Sequence, residues 1–512
     1  MTLGEVLRGN EKRNPEKEAI VFGEHRISFR YFLERVNRIA NGFLQMGLRT
    51  GDRVAFMAQN CHQHIELLFA SAKAGVILVP IGFRSSADEL LYIINDTEPN
   101  VFIVSQDYQD IVRAIQPDMK KGIENYICLD KKVNSMISYE EWLESLPDSE
   151  PDTLVSEDCD LTILYTSGST GNPKGVVQTQ RSWVSGAINQ VCNLAIRETD
   201  IALITVPLNH LAGIWPFLSH FFIGGSVVIL RGFDPVKVLE DSEKERISTI
   251  NLVPTHLIDL LSVAKKGRYD LSYLRMITYG AAPMPVEVLK ECEKTFGNIF
   301  THVYGLTETT GLVTYLKIEG NAPKNDNDMI DLYSRSCGRE GIFMEIRVVN
   351  SEHNDVQVGE IGEIIVRGSC VMKEYWRNHE ETSKTLENNW LHTGDLATVD
   401  KNGYIFIKER KGFKIISGGE NIYPKEVEDV IYQHPAVKEV AVVGVPDKRW
   451  GEAVKAVIVL EKGFKTSADE IIEFCEKRLP SYKKPKSVDL VSELPKSPVG
   501  KILKKEIMQW YC

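Results

Sequence analysis

Short apolar runs alternate with amphipathic segments along most of the chain, and this alternation restricts the possible folds more than any other feature. The runs DRVAFMA, GVILVPI, NVFIVS and SVVIL are predominantly apolar, as expected of strands that are covered on both faces. Segments such as SFRYFLERVNRIANGFLQMG and VEVLKECEKTFG have the spacing of amphipathic helices. The sequence therefore predicts an α/β fold in which parallel sheets are layered with helices.

The pattern of apolar and polar residues changes twice along the chain, and each change predicts a structural boundary. After about Gly338, short alternating strands and turns such as GEIGEIIVRG predict a β-rich subdomain. Beyond Arg410, a lysine-rich unit of about 100 residues has strand and helix signals of its own. A chain of 512 residues is also too long for one ordinary domain. We expect a large N-terminal domain over residues 1–410 and a small α+β C-terminal domain over residues 411–512.

Charge and cysteine content disfavour several kinds of protein. The net charge of −11 has the wrong sign for nonspecific binding to nucleic acid or anionic lipid. The nine cysteines are scattered without a C-x-x-C pair, and this pattern predicts reduced thiols. The charged N-terminal segment lacks the apolar core of a secretion signal. Together these features predict a cytoplasmic protein with no nucleic-acid partner.

One apolar segment has nearly the length of a membrane span. Residues 213–230, GIWPFLSHFFIGGSVVIL, contain no Asp, Glu, Lys or Arg. Pro216 and the pair Gly224 and Gly225 interrupt the segment, and SVVIL is typical of a buried strand after a short helix. We expect packing in a protein core rather than a membrane span. The aromatic residues here are compatible with plain packing or with an acyl-binding pocket.

A loop between two predicted strands is rich in hydrogen-bond donors. The string YTSGSTGNPKGV (165–176) combines glycines, which let backbone N–H groups point inward, with hydroxyl side chains and one lysine. This inventory suits a polyphosphate, although the spacing is not that of a Walker A loop and an ordinary loop has a similar composition. The candidate ligands are Thr166, Ser167, Gly168, Ser169, Thr170, Gly171 and Lys174.

The same string closely resembles the phosphate-loop signature of the adenylate-forming superfamily, which contains acyl-CoA synthetases, adenylation domains and firefly luciferase. Six further strings follow in the order of that family, so the resemblance covers nearly the whole chain. They are PLNHLAG (207–213), YGAAP (279–283), YGLTE (304–308), HTGDLA (392–397), ISGGENIYPKEVE (416–428) and LPKSPVGKILK (494–504).

The resemblance implies an AMP-forming carboxylate–CoA ligase that uses ATP, Mg²⁺ and coenzyme A, with fatty or related apolar acids as the expected substrates. Two other functions stay open. The first is an acyl-AMP ligase that loads the phosphopantetheine of a carrier protein. The second is a nucleotide-binding regulatory protein without catalysis, which the complete set of family residues disfavours. The oligomeric state is not predicted.

Several residues acquire roles in nucleotide binding from the resemblance. Lys174 and its loop are expected to bind the β- and γ-phosphates, Glu308 to hold Mg²⁺, and Thr307 to donate to the α-phosphate. The adenine is expected between Tyr304 and the stretch Gly280, Ala281 and Ala282, and the ribose near Asp395 and Arg410. Taken without the neighbouring motifs, Thr307 and Glu308 would be typical of a helix start, and Asp395 of a turn.

The catalytic residues implied by the resemblance lie far apart in the sequence. Lys501 matches the family's catalytic lysine and is expected to neutralise charge between the carboxylate and the α-phosphate. The alternative for Lys501 is an ordinary solvated lysine near the end of the chain. His210 is expected between the nucleotide and acyl pockets, where it would gate the carboxylate. A core histidine with satisfied nitrogens is the alternative for His210.

Thioester formation is expected to need a second arrangement, reached when the C-terminal domain rotates. Gly418 and Gly419 would then leave room for the pantetheine channel. Trp450, Tyr482, Lys484 and Lys486 are the expected contacts of the CoA nucleotide, although a charge run is also typical of a solvated face. The hinge departs from the family pattern, because Phe413 occupies the usual Asp or Lys position and Gly412 lies beside it.

Overall fold

The computed structural model describes residues 1–130, 136–166, 173–281, 284, 286–317, 335–417, 419–497 and 500–511. The strands are β1 (Glu18–Phe22), β2 (His25–Ser28), β3 (Arg53–Met57), β4 (Ile77–Ile81), β5 (Val101–Val104), β6 (Asn125–Cys128), β7 (Ile137–Ser138), β8 (Asp160–Thr166), β9 (Lys174–Thr179), β10 (Ile201–Ile204), β11 (Ser226–Ile229), β12 (Thr249–Leu252), β13 (Met276–Gly280), β14 (Phe300–Leu306), β15 (Gly311–Lys317), β16 (Arg339–Glu340), β17 (Met344–Val349), β18 (Gly362–Gly368), β19 (Glu374–Tyr375), β20 (Leu386–Glu387), β21 (Trp390–Val399), β22 (Ile405–Arg410), β23 (Ile415–Ser417), β24 (Glu420–Ile422), β25 (Val437–Asp447), β26 (Gly451–Leu460) and β27 (Ser487–Val491).

Helices separate most of these strands, as the sequence pattern predicts. They are α1 (Leu3–Arg13), α2 (Phe29–Gln45), α3 (His62–Ala74), α4 (Ala87–Thr97), α5 (Gln109–Ile115), α6 (Tyr139–Glu144), α7 (Gln180–Leu194), α8 (Leu211–Phe222), α9 (Pro235–Lys244), α10 (Pro254–Ala264), α11 (Val286–Phe296), α12 (His379–Thr385), α13 (Pro424–Ile431), α14 (Ala468–Glu476) and α15 (Lys504–Gln509). Polar caps fix several helix starts; the hydroxyl of Thr179, for example, accepts from the N–H of Ser182 at the start of α7.

Two large sheets form the N-terminal part. The first has the strand order β16-β15-β14-β13-β12-β10-β11-β1-β2 and is parallel from β1 to β14. The second has the order β19-β9-β8-β4-β3-β5-β6-β7 and is parallel from β8 to β7. Because parallel strands need crossover connections, the helices end up on the faces of the sheets. The predicted α/β class is confirmed.

A shared apolar core joins these two sheets through the helices between them. Phe221 of α8 is fully buried, and its ring lies 5.5 Å from the rings of Phe29 and Phe32 and 5.7 Å from that of Phe69, measured between centroids. Such aromatic contacts, added to the burial itself, favour close packing of α2, α3 and α8. The aromatic residues of the 213–230 segment therefore contribute mainly to core packing.

Helix α8 contains Pro216 and continues past it. A proline in this position cannot donate to the carbonyl of the residue four positions earlier, which is Ala212. In the structure the side-chain amide of Asn251 donates to that carbonyl at 3.0 Å. The expectation that Pro216 interrupts the segment is therefore wrong, and the helix ends instead at Phe222, before Gly224 and Gly225. Among the described residues, no helix combines the length and the apolarity needed to cross a membrane.

Two smaller sheets follow toward the C-terminus. The third sheet has the order β17-β18-β21-β20, with β22 paired to β21, and is antiparallel throughout. The fourth has the order β24-β23-β26-β25, with β27 parallel to β26. Strand β22 ends at Arg410 in the third sheet, and β23 begins at Ile415 in the fourth. The short 3-10 turn Lys411–Phe413 connects the two sheets.

Candidate active site

A cleft of about 340 Å³ opens where β21, α12, α15 and the turn Lys411–Phe413 approach one another. Its described lining includes five cationic and three anionic side chains, an excess of positive charge in a chain whose net charge is −11. An excess of cations in a concave site suits a polyanionic ligand. The charged lining residues are Lys174, Glu308, Glu363, Glu381, Lys384, Arg410, Lys411 and Lys505.

Asp395 lies beside this cleft, with partners from two neighbouring strands. It is 8% exposed, and the hydroxyl of Tyr304 on β14 donates to its Oδ2 at 2.7 Å. Asp395 and Arg410 are register partners on β21 and β22, and Arg410 Nε lies 3.8 Å from Asp395 Oδ1. Burial raises the pKa of Asp395, while Arg410, the Tyr304 hydrogen bond and Lys501 act in the opposite direction. A fixed buried carboxylate of this kind can accept hydrogen bonds from a ligand.

The backbone of the expected adenine stretch packs closely against the strand that carries Tyr304. Gly280 ends β13 and pairs with Val303 of β14, and a Cβ at Gly280 would collide with the Val303 carbonyl oxygen. The next residue, Ala281, is exposed and has a φ of 65°. Sheet pairing therefore brings Gly280 and Ala281 next to the strand that carries Tyr304.

Glu308 is a second buried carboxylate in the cleft. It lies in the 3-10 turn Thr307–Thr309 directly after β14, and the hydroxyl of Tyr375 donates to its Oε1 at 2.8 Å. Burial raises the pKa of the Tyr375 hydroxyl, and the negative charge of Glu308 raises it further, so Tyr375 stays a donor. The carbonyl of Thr307 accepts from the amide of Gln178 at 2.8 Å, and this bond ties the turn to β9.

Lys174, at the start of β9, points toward the same region. Its ammonium group forms an ion pair with Glu381 of α12 and lies 5.0 Å from the centroid of the Tyr375 ring. Thr166, the last residue of β8, is the register partner of Lys174. The predicted phosphate-loop lysine is thus already paired with a carboxylate, in a position where an anionic ligand would compete with Glu381.

Lys501 is an exposed residue in a tight turn before α15. The carbonyl of Lys501 accepts from the N–H of Ser497 at 2.8 Å, and its N–H donates to the Ser497 hydroxyl at 3.2 Å. Reduced hydration among the surrounding groups lowers the pKa of its ammonium group, and Arg410 lowers it further, while Asp395 opposes the shift. The charges of Asp395 and Arg410 thus act on the ammonium group of Lys501.

The turn that carries Lys501 packs against the N-terminal part of the chain. Gly500 has a φ of 79°, and a Cβ there would lie 2.9 Å from the hydroxyl oxygen of Thr255 in α10. A further link comes from Lys504, which donates to Glu409 of β22 at 3.1 Å and to Glu428 of α13 at 2.9 Å. The last residues of the chain are therefore held against the cleft.

His210 precedes α8 and is half-buried. Burial lowers its pKa to about 4, so its imidazole is neutral at pH 7. The Nε2 atom is buried and has no hydrogen-bond partner among the described residues. An unsatisfied buried nitrogen is costly, so Nε2 of His210 is available to pair with a ligand or a water molecule.

The sequence of this chain is similar to that of a known enzyme family. The sequence profile of the AMP-binding enzyme family matches residues 7–376, and that of the AMP-binding enzyme C-terminal domain matches residues 426–501. The chain belongs to the family of AMP-binding enzymes. The predicted membership of the adenylate-forming superfamily is thereby confirmed.

Individual relatives of this AMP-binding enzyme differ in the reactions for which they are named. The feruloyl-CoA synthase of Amycolatopsis sp is 35% identical over 497 residues, which are 97% of this chain and 96% of the relative. The fatty acid–[acyl-carrier-protein] ligase ScoC of Streptomyces coeruleorubidus is 31% identical over 511 residues, which are 99% and 96% of the two chains. ATP-bound MatB from Rhodopseudomonas palustris is 28% identical, with a TM-score of 0.90 over 100% of this chain and 99% of that chain.

A second set of predicted residues lies away from the cleft of this AMP-binding enzyme. We call it the C-terminal group: Gly419, Trp450, Tyr482, Lys484 and Lys486. Gly419 has a φ of 87°, and no described atom lies within 4 Å of where its Cβ would be. Trp450 directly precedes Gly451, which pairs with Ser417 across β23 and β26.

The basic part of the C-terminal group is engaged locally. Lys484 forms an ion pair with Glu476 at 2.6 Å, while Tyr482 and Lys486 are exposed. The pairing of Lys455 with Ser487 places this stretch beside β26. The structure thus brings Trp450 next to the hairpin of Gly419, and it does not bring the C-terminal group to the cleft.

Some predicted residues fall outside the described residues. These are Ser167, Gly168, Ser169, Thr170 and Gly171 of the glycine-rich loop, Ala282 of the adenine stretch, and Gly418.

Several residues that contact the predicted ones could not be predicted from the sequence. Tyr375, Glu381 and Glu363 belong to this set: the first two hold Glu308 and Lys174, and Glu363 accepts from the N–H of Gly394 at 3.0 Å. In the sequence, Tyr375 and Glu381 stand out only by their position on either side of Asn378, the N-cap of α12. Nothing in their spacing relates them to residues about 70 to 200 positions earlier.

Proposed function

We propose that this protein is an AMP-forming carboxylate–CoA ligase. The reaction would join a carboxylic acid to the AMP part of ATP with release of pyrophosphate, and would then transfer the acyl group to the thiol of coenzyme A with release of AMP. The observation that carries the proposal is the charged cleft, which Glu308 and Lys174 line and beside which the pair of Asp395 and Arg410 lies. The ion pair of Lys504 with Glu409 holds the turn of Lys501 close to this pair. The family membership and the CoA-dependent relatives support the same assignment.

Electrostatics explains why the first step needs cations from several elements. The carboxylate and the α-phosphate are both anions, and like charges about 4 Å apart repel by about 4 kcal/mol at an effective dielectric of 20. Lys501 would reduce this repulsion as the carboxylate oxygen attacks the α-phosphorus and pyrophosphate leaves. Because the lysine stem is flexible, a small movement of its turn would bring the ammonium group to both reacting groups.

The other end of the cleft suits the β- and γ-phosphates. Lys174 would exchange its ion pair with Glu381 for phosphate oxygens, an exchange of one anionic partner for another. Glu308 fits a magnesium ligand, because it is a buried carboxylate with Oε1 held by Tyr375 and with acceptor capacity left on its oxygens. When bound, Mg²⁺ would neutralise phosphate charge. Thr307 would donate from its hydroxyl to the α-phosphate.

Residues at the ends of β13 and β14 and on β21 and β22 would recognise the nucleoside. Asp395 would accept from the ribose hydroxyls, with Arg410 and Tyr304 holding the carboxylate in place. The adenine would lie between Tyr304 and the backbone at Gly280 and Ala281. Neutral His210 would offer its unpartnered Nε2 to the acid substrate and so orient the carboxylate.

We propose an apolar organic acid as the substrate. Fatty acids are our first choice, and the relatives do not separate this choice from aromatic acids, since one is named for feruloyl-CoA and another for a fatty acid. We also propose that the protein acts in the cytoplasm.

The second step would use the C-terminal group. We propose a domain boundary at residues 410 and 411 and a hinge at Gly412 and Phe413, about which the C-terminal domain rotates after adenylation. Rotation would exchange Lys501 for the hairpin of Gly419 and would bring Trp450 toward the bound CoA. Tyr482, Lys484 and Lys486 would meet the CoA phosphates, and Lys484 would then leave Glu476.

A carrier protein is the alternative acyl acceptor. The observation that favours this alternative is the similarity to a relative named as a fatty acid–[acyl-carrier-protein] ligase. Such an enzyme would perform the same first step and would hand its acyl-adenylate to a protein-bound phosphopantetheine.

One experiment separates these functions. The purified protein is incubated with ATP, Mg²⁺, free CoA and a panel of fatty and aromatic acids, and pyrophosphate and acyl-CoA are both quantified. The proposal predicts acid-dependent pyrophosphate release with an equal amount of acyl-CoA. Pyrophosphate release without acyl-CoA would favour the carrier-protein alternative, and no pyrophosphate release with any acid would contradict both functions.

A further inference from the structure

Three metal-ligating side chains converge next to the cleft. They come from separate places in the third sheet: His353 from the turn after β17, Glu387 from the end of β20, and His392 from β21. One ligand atom from each lies within 4.8 Å of the other two, and this is the one such group among the residues that the structure describes.

The separations within this trio leave space for an ion. Oε2 of Glu387 lies 4.0 Å from Nδ1 of His353 and 3.8 Å from Nε2 of His392. Both distances exceed a hydrogen bond, which ends at about 3.2 Å for nitrogen and oxygen. Bonds of about 2.1 Å at tetrahedral angles would place the ligand atoms about 3.4 Å apart. The two separations from Glu387 exceed this value by about 0.4 to 0.6 Å, and the separation between the two histidines is at most 4.8 Å. Side-chain shifts of about an ångström or less would therefore let the trio bind one ion.

His392 is already oriented as a metal-bound histidine would be. Its Nδ1 lies 2.8 Å from Oε2 of Glu363, a carboxylate that is 8% exposed. With Nδ1 donating to Glu363, the lone pair of Nε2 points toward Glu387 and His353. A carboxylate on the far nitrogen is the usual support of a zinc-bound histidine, because it fixes the tautomer and increases the basicity of the ligand.

The backbone also presents the other two ligands. His353 has a φ of 64°, a conformation that few residues with side chains adopt, and the side chain of Asn350 accepts from the N–H groups of Glu352 and Asn354 to hold this turn. Glu387 ends β20 as the register partner of Trp390, across a two-residue turn. Both side chains are about half exposed and free to adjust.

The neighbouring cations do not prevent binding of a positive ion. Arg347 and Arg367 contact the ring of Trp390, but each is also paired with a carboxylate, Asp355 at 2.7 Å and Glu345 at 2.9 Å respectively. Lys411 is paired with Glu363 at 2.8 Å.

We propose that His353, Glu387 and His392 form a binding site for a divalent transition metal of the zinc class, with a fourth position open to water. Two imidazoles and one carboxylate suit Zn²⁺, whereas Mg²⁺ prefers oxygen ligands throughout, so this site is distinct from the one at Glu308. The ion would join the turn after β17 to β20 and β21, and through Glu363 it would hold the N–H of Gly394 and Lys411 at the edge of the cleft. The proposal does not depend on the proposed ligase function.

Zinc binding by the full chain tests the proposal. The protein is treated with a chelator, transferred to buffer and titrated with ZnCl₂ by calorimetry, and its thermal midpoint is recorded with and without Zn²⁺. His353→Asn and Glu387→Gln each remove one ligand; asparagine tolerates the positive φ of position 353, and glutamine keeps the shape of the side chain. Glu352→Gln is the matched control, since it removes a carboxylate from the same turn and leaves the trio intact.

We expect the wild type and Glu352→Gln to bind one Zn²⁺ at this site and to unfold at a higher temperature with Zn²⁺. His353→Asn and Glu387→Gln should each weaken that binding by at least about tenfold and lose the rise in midpoint. Zinc binding of unchanged affinity in both variants would overturn the proposal, as would a wild type whose midpoint does not rise with Zn²⁺. The two variants lie in different turns, so misfolding of one leaves the other as a test.

Discussion

The cleft and the C-terminal group differ in how far their side chains are engaged. Glu308 and Lys174 of the cleft, and Asp395 beside it, each have a partner from another element of the fold. In the C-terminal group, Trp450 is 40% exposed, and a Cβ at Gly419 would meet no described atom within 4 Å apart from its chain neighbours. If adenylation and thioester formation use the same space, the side chains for only one of these reactions can be in place at a time. We infer that the structure has the arrangement for adenylation, and that thioester formation needs the domain rotation proposed above.

We expect a substitution at Glu308, in the cleft, to have the greatest effect on adenylation. Glu308→Gln removes the charge of the proposed magnesium ligand but keeps an acceptor for Tyr375. Acid-dependent pyrophosphate release should fall by about 100-fold or more, because charge stabilisation at transferring phosphates is lost. Glu374→Gln, next to Tyr375 but outside the cleft lining, should behave like the wild type. Near-normal release by Glu308→Gln across a range of Mg²⁺ concentrations would remove Glu308 from the site.

We expect a smaller effect on adenylation from substitution of Lys504, which links the third sheet to the C-terminal region. Lys504 bridges Glu409 of β22 and Glu428 of α13, and both carboxylates are buried. Lys504→Met would leave two buried carboxylates without their cation, which favours separation of the domains. We expect adenylation to fall by about tenfold, while transfer from a synthetic acyl-adenylate to CoA is preserved.

Glu409→Gln is the matched variant for Lys504, because it weakens only the contact across the two sheets. It should reduce adenylation less than Lys504→Met, and circular dichroism should show a folded protein in both cases. If both half-reactions decline in parallel, the Lys504 contacts are general stabilising contacts rather than part of the adenylation arrangement.

The C-terminal group should give a modest effect restricted to the second step. Trp450→Ala removes an exposed aromatic surface worth about 1 kcal/mol to a stacked aromatic ligand, so KM for CoA should rise about fivefold with adenylation unchanged. Phe464→Ala, another exposed aromatic residue of the C-terminal region, is the control. A rise in KM for ATP instead would assign Trp450 to the cleft and would contradict the separate roles of the cleft and the C-terminal group.

The smallest effect concerns pH. Limited hydration and Arg410 lower the pKa of Lys501 below its ordinary value of 10.5. The charged form of a lysine is lost as pH rises through its pKa, so adenylation should begin to decline at a lower pH than an ordinary lysine would allow. Lys501→Arg should move this alkaline limb to higher pH in a profile of kcat/KM for pyrophosphate release. A limb at the same pH in both proteins would assign it to another group.

Local patterns were sufficient to predict much of the fold. The apolar runs around Val54, Leu78 and Phe102 became adjacent parallel strands because strands covered on both faces must be apolar throughout. Pro216 was misjudged because the group that compensates for it, the amide of Asn251, lies 39 residues away. A single-sequence pattern carries no information about such a partner.

The candidate site was predictable to the extent that short motifs contain its residues. Asp395, Glu308 and Lys501 could be named because each lies in a string with a known family meaning. Their partners Glu381 and Tyr375 could not, since tertiary folding brings them together from distant positions. The trio of His353, Glu387 and His392 was invisible for the same reason, because three turns and strands of one sheet must form before the ligands meet.

We propose that Lys501 acts in adenylation and is then replaced, and separate assays of the two half-reactions test this role. Lys501→Ala and the control Lys465→Ala, an exposed lysine between β26 and α14, are assayed separately for acid-dependent formation of pyrophosphate and for transfer of a synthetic acyl-adenylate to CoA. We expect Lys501→Ala to lose pyrophosphate formation by about 100-fold or more and to keep acyl transfer, while Lys465→Ala keeps both. Undiminished pyrophosphate formation in Lys501→Ala, or an equal loss of both steps, would contradict it.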